Sequence, residues 1–240
     1  MSDLLYVNGD SWTWGSELIA PGLSSDLDPT NDAYRLEHRW VNRLGRHMNL
    51  PVVDGSGAGA SNDRIVRTTV QQVLDLVNQG HRPFVVIAWT QLHRFELYGK
   101  NGYQTFNNPR DTTNPRIAKE MWRAWSNDTS DCERWLQQVV LLESFFKNLG
   151  LSFYMAITFD QIQRTVNNLM HTGTVHAMHR DFIKTLWNHT SFSKKAQQAH
   201  DIIAKGTSFG PNRHPLAEGH ELIANYIIQD QAWPETKGNI

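Results

Sequence analysis

A serine near the start of the chain and a histidine near its end are the residue types of a serine-hydrolase site. Ser11 lies in residues 8–12, Asn-Gly-Asp-Ser-Trp, directly behind the apolar residues 4–7, and His214 precedes Pro215. A serine hydroxyl is a weak nucleophile until a neighbouring base removes its proton, and imidazole can serve as that base near neutral pH. We therefore expect Ser11 to attack a carbonyl carbon and His214 to accept its proton.

Such an attack places negative charge on the carbonyl oxygen, which needs hydrogen-bond donors that are already in position. The backbone N–H of Ser11 is one candidate donor. The N–H of Gly59 is a second, since a glycine lets the backbone come close to a ligand. The side chain of either Asn62 or Thr90 is the candidate for a third, and the sequence leaves this choice open.

These residues follow predicted strands of a chain in which strands and helices alternate. Strands are expected at residues 4–7, 51–53, 84–89 and 151–159, and helices at residues 31–49, from 61 onward, 116–149 and 216–228. This alternation favours a parallel sheet with helices on both faces, and ligands bind at the carboxyl ends of such strands. We predict one α/β domain over residues 1–240, with a long functional loop inserted around residues 91–115.

Composition excludes several classes of protein. The 240 residues carry a net charge of −1, so no strong field attracts nucleic acid or an anionic membrane surface. The single cysteine excludes an internal disulfide, and no apolar run approaches the ~20 residues of a membrane span. No leader segment is visible, which predicts a cytoplasmic protein when made. No cofactor is expected, and no metal, because neither a cysteine nor paired carboxylates complete a ligand set beside His171, His176 and His179.

Two blocks of the sequence resemble the SGNH/GDSL hydrolase family. The residues that carry the resemblance are Gly9, Asp10, Ser11 and Gly15 in the first block, and His214, Pro215, Gly219 and His220 in the last. Gly59 takes the place of the glycine donor in the family's second block. The resemblance extends from residue 4 to about residue 228. It implies a three-layer α/β/α sandwich with a flavodoxin-like sheet, and hydrolysis of acyl esters on lipids or acetylated sugars.

The chain departs from the family pattern at two positions. Thr90 stands where the third block usually has an oxyanion-binding asparagine, and Pro211 stands where an aspartate usually precedes the histidine. The neighbouring Asn212 carries no charge and is at most a supporting residue. Asp10 is expected to support the turn rather than to replace the missing acid. The site is therefore predicted to be a Ser-His dyad, or to take its acid from elsewhere in the chain.

Tryptophans beside the predicted site suggest a surface for a sugar ring. The chain has nine tryptophans, and Trp12, Trp14 and Trp89 lie close to the motif residues. The alternative is that they are core residues. Arg94, after Thr90, is a candidate for binding an anionic substrate, with a structural salt bridge as its alternative.

Two functions follow from these residues. The first is a serine esterase that hydrolyses acyl esters, with O-acetyl groups on carbohydrate as the preferred substrate. The second is a weak or inactive scaffold that serves as a glycan-binding or structural module, which the two departures favour. The segments around Gly59 and Thr90 are also similar to SGNH-like proteins of tailed bacteriophages, so oligomerisation or virion assembly belongs to this second hypothesis. A nucleotide-binding protein is disfavoured because no phosphate-cradling glycine loop is present.

Overall fold

The computed structural model describes residues 2–100, 102–106, 119–120, 127–171, 176–194 and 209–230. The strands are β1 (Leu4–Asn8), β2 (Val52–Asp54), β3 (Pro83–Trp89), β4 (Phe95–Gly99), β5 (Gly102–Phe106) and β6 (Phe153–Ile157). The helices are α1 (Ser11–Trp14), α2 (Asp32–His38), α3 (Trp40–Met48), α4 (Asn62–Asn78), α5 (Asp128–Asn148), α6 (Asp160–His171), α7 (Ala177–His189) and α8 (Ala217–Asp230).

Four of the strands form one parallel sheet in the order β2-β1-β3-β6. In the register of β1, Tyr6 lies opposite Val85 of β3 and Val53 of β2. Every residue of β1 and β3 is buried, because these two strands lie in the interior of the sheet and are covered on both faces. The predicted parallel α/β fold is confirmed.

Alternate side chains of the strands enter two separate hydrophobic cores. Tyr6 and Ile87 face the core that α4, α5, α6 and α7 cover, whereas Val7 and Val86 face the core that α3 and α8 cover. This two-sided packing produces three layers, α/β/α. Because β1, β2 and β3 run parallel, their carboxyl ends lie at one edge of the sheet.

The helix predicted over residues 31–49 is two helices, α2 and α3. Arg39 between them has an extended backbone, with φ −69° and ψ 147°. The backbone N–H of Trp40, at the start of α3, donates to Nδ1 of the buried His220 at 3.3 Å. A side chain from α8 therefore satisfies a donor that a continuous helix would have used internally.

The region expected to be a long loop at residues 91–115 contains an antiparallel hairpin, in which β4 (Phe95–Gly99) pairs with β5 (Gly102–Phe106). The Arg67 side chain of α4 forms two hydrogen bonds to the Glu96 carboxylate of β4, at 2.7 and 2.9 Å, and stacks on Tyr103 of β5. These contacts anchor the hairpin on α4. Residues 107–115 lie outside the described residues, as does part of the helix predicted at 116–149. In the part of the chain that is described, no helix has the length and apolar character needed to cross a membrane.

Candidate active site

Ser11 is held at the exit of β1 by a tight connection into the short helix α1. The Asp10 carboxylate caps this helix by accepting a hydrogen bond from the backbone N–H of Trp12 at 3.0 Å. Gly9 permits the connection because a Cβ at that position would overlap the Thr13 side chain. Ser11 is largely buried but reaches the floor of an open cleft.

Two side chains near the start of the chain and one near its end form a continuous hydrogen-bonded chain. His214 Nε2 lies 2.9 Å from Ser11 Oγ, and His214 Nδ1 lies 2.9 Å from Glu17 Oε2. A carboxylate can only accept, so the proton of the neutral imidazole resides on Nδ1. Nε2 is then free to accept the hydrogen bond of the serine hydroxyl. This is the geometry required of an acid, a base and a nucleophile.

The Glu17 carboxylate is fixed by several donors at once. It accepts hydrogen bonds from the backbone N–H groups of Asn212 and His214, at 3.0 and 3.1 Å, and from the Asn212 side-chain amide at 3.1 Å. Burial raises the pKa of Glu17, but the bonds from Asn212 and His214 outweigh it and hold the pKa below its usual value. Glu17 therefore remains an anion beside the imidazole.

Backbone geometry directs Glu17 toward the histidine loop. Glu17 has a left-handed backbone, with φ 65°, which is uncommon for a residue other than glycine. Its N–H donates to the Asp26 carboxylate at 2.8 Å. The next residue, Leu18, is buried, and its carbonyl accepts a hydrogen bond from the Asn31 amide at 2.7 Å. These contacts hold the conformation that an isolated segment would disfavour.

The loop that carries His214 is a tight turn closed on itself. The N–H of Gly210 donates to the His214 carbonyl at 3.0 Å, and the N–H of Arg213 donates to the Gly210 carbonyl at 2.9 Å. Arg213 also has a left-handed backbone, with φ 63°. A Cβ at Gly210 would lie 2.8 Å from Glu17 Cδ, so the absence of a side chain there makes room for the carboxylate.

Glu17 is the residue that the sequence reasoning missed. The family pattern predicts the acid just before the histidine, where the chain has Pro211, whereas the structure supplies it six residues after Ser11. Asn212 does not take the place of the acid: it donates to Glu17 and so orients the carboxylate. The sequence shows only that an acidic residue lies near the serine. The fold shows that its side chain points to His214.

The predicted side-chain donors for an oxyanion are engaged in other bonds. The Asn62 amide accepts from the N–H of Thr90 at 3.0 Å and donates to the Thr90 carbonyl at 3.0 Å. The Thr90 hydroxyl donates to Asp10 Oδ2 at 2.6 Å. Both side chains are buried and join α4 to the end of β3. The proposed role for them as a third donor does not fit these contacts.

The predicted glycine donor lies in a turn beside the serine segment. The N–H of Gly57 donates to the Gly9 carbonyl at 3.1 Å, and that of Ala60 donates to the Gly57 carbonyl at 3.1 Å. Gly59, between them, has φ 71°, a conformation that favours glycine. These bonds bring the turn against the Ser11 connection, and the role of its N–H stays a prediction.

Arg94 forms a partly buried ion pair beneath the site. Its Nη1 lies 3.1 Å from Asp10 Oδ2, 2.8 Å from Thr90 Oγ1 and 3.3 Å from the Ala60 carbonyl oxygen. The Asp10 side chain is fully buried, whereas that of Arg94 is 14% exposed. The guanidinium, rather than the carboxylate, therefore faces the cleft.

The cleft has a volume of about 600 Å³ and combines an aromatic wall with a polar rim. Its lining residues are Ser11, Trp12, Gln91, Arg94, Phe159, Phe209, Asn212, Arg213 and His214. The Trp12 ring packs against Phe159 and Phe209, with ring centroids 5.0 and 6.0 Å apart. The apolar wall thus stands directly beside the Ser11–His214 pair.

Two of the three tryptophans proposed for the substrate surface lie elsewhere, which corrects that interpretation. Trp89 is fully buried in the core and packs edge-on against Trp135. Trp14 lies beneath the Arg35 guanidinium, 4.0 Å from its ring centroid, and is not among the residues of the cleft. Trp12 lines the cleft and Trp14 does not, because α1 directs their side chains to different sides.

Two of the three histidines considered for a metal, His176 and His179, have other contacts. His176 caps α7 by accepting from the N–H of Met178, and His179 Nδ1 lies 2.7 Å from Glu133 Oε1. Within the described ranges, no three residues of metal-ligating type are grouped closely enough to hold an ion.

Comparison with protein families gives one match. The model of a family of unknown function, DUF6071, matches residues 22–237. This range includes Arg94 and His214 and begins after Ser11 and Glu17. A comparison with curated proteins gives no match.

Several solved structures are similar to this chain. An acetyl xylan esterase from the rumen bacterium Butyrivibrio proteoclasticus is 11% identical, with a TM-score of 0.51 over 96% of this chain and 64% of that one. A carbohydrate esterase whose active site displays divergent catalytic and non-catalytic binding functions is 15% identical, with a TM-score of 0.50 over 97% of this chain and 67% of that one. A member of the lipolytic protein G-D-S-L family from Veillonella parvula is 10% identical, with a TM-score of 0.45 over 94% of this chain and 96% of that one. At these identities the two carbohydrate esterases show the fold of this chain and nothing of its substrate.

Proposed function

The chain belongs to DUF6071, a family of unknown function, and we propose that this chain is a serine esterase with Ser11, His214 and Glu17 as its catalytic triad. The observation that carries the proposal is the pair of 2.9 Å contacts that link the hydroxyl to the imidazole and the imidazole to the carboxylate. The cleft beside them leaves Ser11 accessible to a substrate.

In the first half of the reaction, Ser11 Oγ attacks the ester carbonyl carbon and its proton passes to His214 Nε2. The π electrons of the carbonyl move to its oxygen, which becomes an oxyanion. When this intermediate collapses, the bond to the alcohol oxygen breaks and that oxygen takes the proton from Nε2. The acyl group remains on Ser11.

In the second half, water takes the place of the serine hydroxyl as the nucleophile. His214 accepts a proton from the water as it attacks the acyl carbon, and then returns that proton to Ser11 Oγ as the acid product leaves. Glu17 stabilises the imidazolium that forms in each half and fixes its Nδ1 proton. No cofactor takes part in these steps.

We propose an O-acetylated carbohydrate as the substrate. The Trp12 side of the cleft offers an apolar surface against which a sugar ring or a small acyl group can pack, and Gln91 and Asn212 offer hydrogen-bond partners at its rim. Two solved structures of similar fold are named as carbohydrate esterases. The glycan-binding or virion module remains the second hypothesis. One reason for it was the missing aspartate before His214, and Glu17 provides a carboxylate in its place.

Hydrolysis of 4-nitrophenyl acetate and release of acetate from acetylated xylan test the proposal. Wild type should turn over the nitrophenyl ester, and Ser11→Ala should reduce the rate to background. Ser144→Ala is the matched control, because Ser144 lies on the exposed side of α5 and donates only to a backbone carbonyl. Full activity in a folded Ser11→Ala protein would refute the mechanism. Activity on the nitrophenyl ester without acetate release would refute this carbohydrate substrate alone.

A further inference from the structure

A transition state with an oxyanion needs a strong donor near Ser11, and the two side chains predicted for that role are occupied. The Asn62 amide uses its oxygen and nitrogen to bind the backbone at Thr90. The Thr90 hydroxyl has one hydrogen to donate, and it donates this to the Asp10 carboxylate in a 2.6 Å hydrogen bond. Neither can turn to a substrate without leaving a buried partner unsatisfied, which costs about 1–3 kcal/mol. A third donor, beside the backbone N–H groups of Ser11 and Gly59, therefore has to come from another residue.

Arg94 is the candidate for this third donor. Arg94 lies four residues after Thr90, and its Nη1 contacts the Thr90 hydroxyl oxygen, Asp10 and the Ala60 carbonyl together. Ala60 belongs to the turn that carries Gly59. The guanidinium is therefore fixed between the serine segment and this turn, the two segments expected to supply backbone donors.

Part of the guanidinium remains uncommitted. An arginine offers five N–H donors, and the contacts to Asp10, Thr90 and Ala60 all use Nη1. Nε is enclosed, so a substrate meets the exposed 14% of the side chain. Arg94 and Ser11 line the same cleft, whereas the partner carboxylate of Asp10 is enclosed. An approaching ester thus meets a cation that the ion pair has already oriented, so little reorganisation is needed as charge develops.

We propose that Arg94 is a catalytic residue that donates a hydrogen bond from its guanidinium to the substrate carbonyl oxygen as it becomes an oxyanion. This inference rests on the proposed esterase function. The proton stays on the guanidinium throughout, and only the π electrons of the carbonyl move to the oxygen when Ser11 Oγ bonds to the carbon. A charged donor forms a stronger hydrogen bond to an anion than a neutral amide does, which compensates for the missing asparagine.

Two variants test the role of Arg94 without leaving Asp10 as a lone buried charge. Arg94→Lys keeps a cation beside Asp10 but removes the planar fork, and the double variant Asp10→Asn with Arg94→Gln removes both charges. Arg67→Lys is the control, since Arg67 also pairs with a carboxylate, that of Glu96, but does not line the cleft. Each protein is first shown to be folded by its thermal unfolding.

The readouts are kcat and KM for neutral 4-nitrophenyl acetate, and Ki for a trifluoromethyl ketone whose hemiketal oxygen mimics the oxyanion. Both variants should lose about 10²- to 10³-fold in kcat, with KM within about threefold of wild type. The Ki should rise by a similar factor, because the hemiketal oxygen occupies the place of the oxyanion. Arg67→Lys should change none of these by more than about threefold.

Three results would overturn the inference. A folded Arg94 variant with kcat within about threefold of wild type would show that Arg94 does not bind the oxyanion. An effect confined to KM for an anionic ester, such as mono-4-nitrophenyl succinate, would make Arg94 an anion-binding residue instead. A folded wild type that hydrolyses no ester would refute the esterase proposal itself, and this inference with it.

Discussion

Replacing Glu17 with glutamine exchanges one carboxylate oxygen for an NH₂ group at a place where every neighbour is a donor. Oε2 faces His214 Nδ1 and the His214 N–H, and Oε1 faces the N–H and side-chain amide of Asn212. The glutamine can offer its oxygen to only one side. If its NH₂ faces His214, it favours the tautomer with the proton on Nε2, which cannot accept the proton of Ser11. If its NH₂ faces Asn212, this donor meets the N–H and side-chain amide donors of Asn212, and the glutamine side chain is displaced.

The expected loss is large in either orientation. Loss of the orienting acid of such a triad lowers kcat by about 10⁴-fold, or about 5 kcal/mol of transition-state stabilisation. Glu17→Asp keeps the charge but withdraws it by one methylene group. A misplacement of about 1 Å predicts a loss of about 10²-fold for this variant. The order wild type, Glu17→Asp, Glu17→Gln is therefore the specific expectation.

The assay is the steady-state hydrolysis of 4-nitrophenyl acetate, with unfolding measured in parallel so that a folding defect is not read as a loss of catalysis. Glu37→Gln is the matched control, because the Glu37 carboxylate is exposed and faces Arg46 on the surface. A folded Glu17→Gln protein with kcat within about threefold of wild type would refute the assignment of Glu17, and the site would then operate as a Ser11–His214 dyad.

Three further predictions concern residues that take no direct part in the chemistry. Gly210→Ala should displace the Glu17 carboxylate, which lies 2.8 Å from the added Cβ, and lower kcat by about 10²-fold with little change in unfolding temperature; unchanged kcat would contradict this. In Gly9→Ala the added Cβ should overlap Thr13 and destabilise the protein by about 1–3 kcal/mol, measured by urea unfolding. Gly80→Ala is its control: Gly80 has positive φ but open space for a Cβ, so this variant shows the effect of backbone strain without overlap. Burial lowers the pKa of His220 to about 3, whereas the histidine of the unfolded chain takes up a proton below pH ~6.5, so acid favours unfolding. The free energy of unfolding should therefore fall by about 2 kcal/mol between pH 7 and pH 5. The same pH dependence in His220→Gln would show that His220 is not its cause.

The sequence was most informative where local patterns determine the structure. The apolar runs predicted β1 and β3, and the alternation of strands and helices predicted the parallel sheet, because burial on both faces leaves a continuous apolar signature. The same reasoning placed Ser11 at a strand exit and His214 in a loop before the last helix. Ser11 follows β1 directly, and the loop before α8 brings His214 within 2.9 Å of its hydroxyl.

The acid could not be predicted because its direction depends on contacts between distant segments. Glu17 points toward His214 only with a left-handed backbone that Asp26 and the buried Leu18 stabilise. Nothing in the local sequence demands that conformation. Spacing alone led to the region before His214, where no acidic residue exists, and hence to the expectation of a dyad.

Side-chain partners explain the other differences. Thr90 and Asn62 lie at the predicted edge, but each binds a buried neighbour that sequence order does not reveal. Trp89 follows the alternation of β3 into the core instead of facing the cleft. The suggested similarity to bacteriophage proteins, the association with a virion and the absence of nucleic-acid partners remain predictions from sequence.

The most direct test of the account is covalent labelling of the wild-type protein with a fluorophosphonate, followed by peptide mass spectrometry to locate the adduct. We expect one phosphonyl group on Ser11, slow or absent labelling in Glu17→Gln, and normal labelling in Ser144→Ala. A folded wild-type protein that is not labelled, or an adduct on another serine, would contradict the claim that Ser11 is an activated nucleophile.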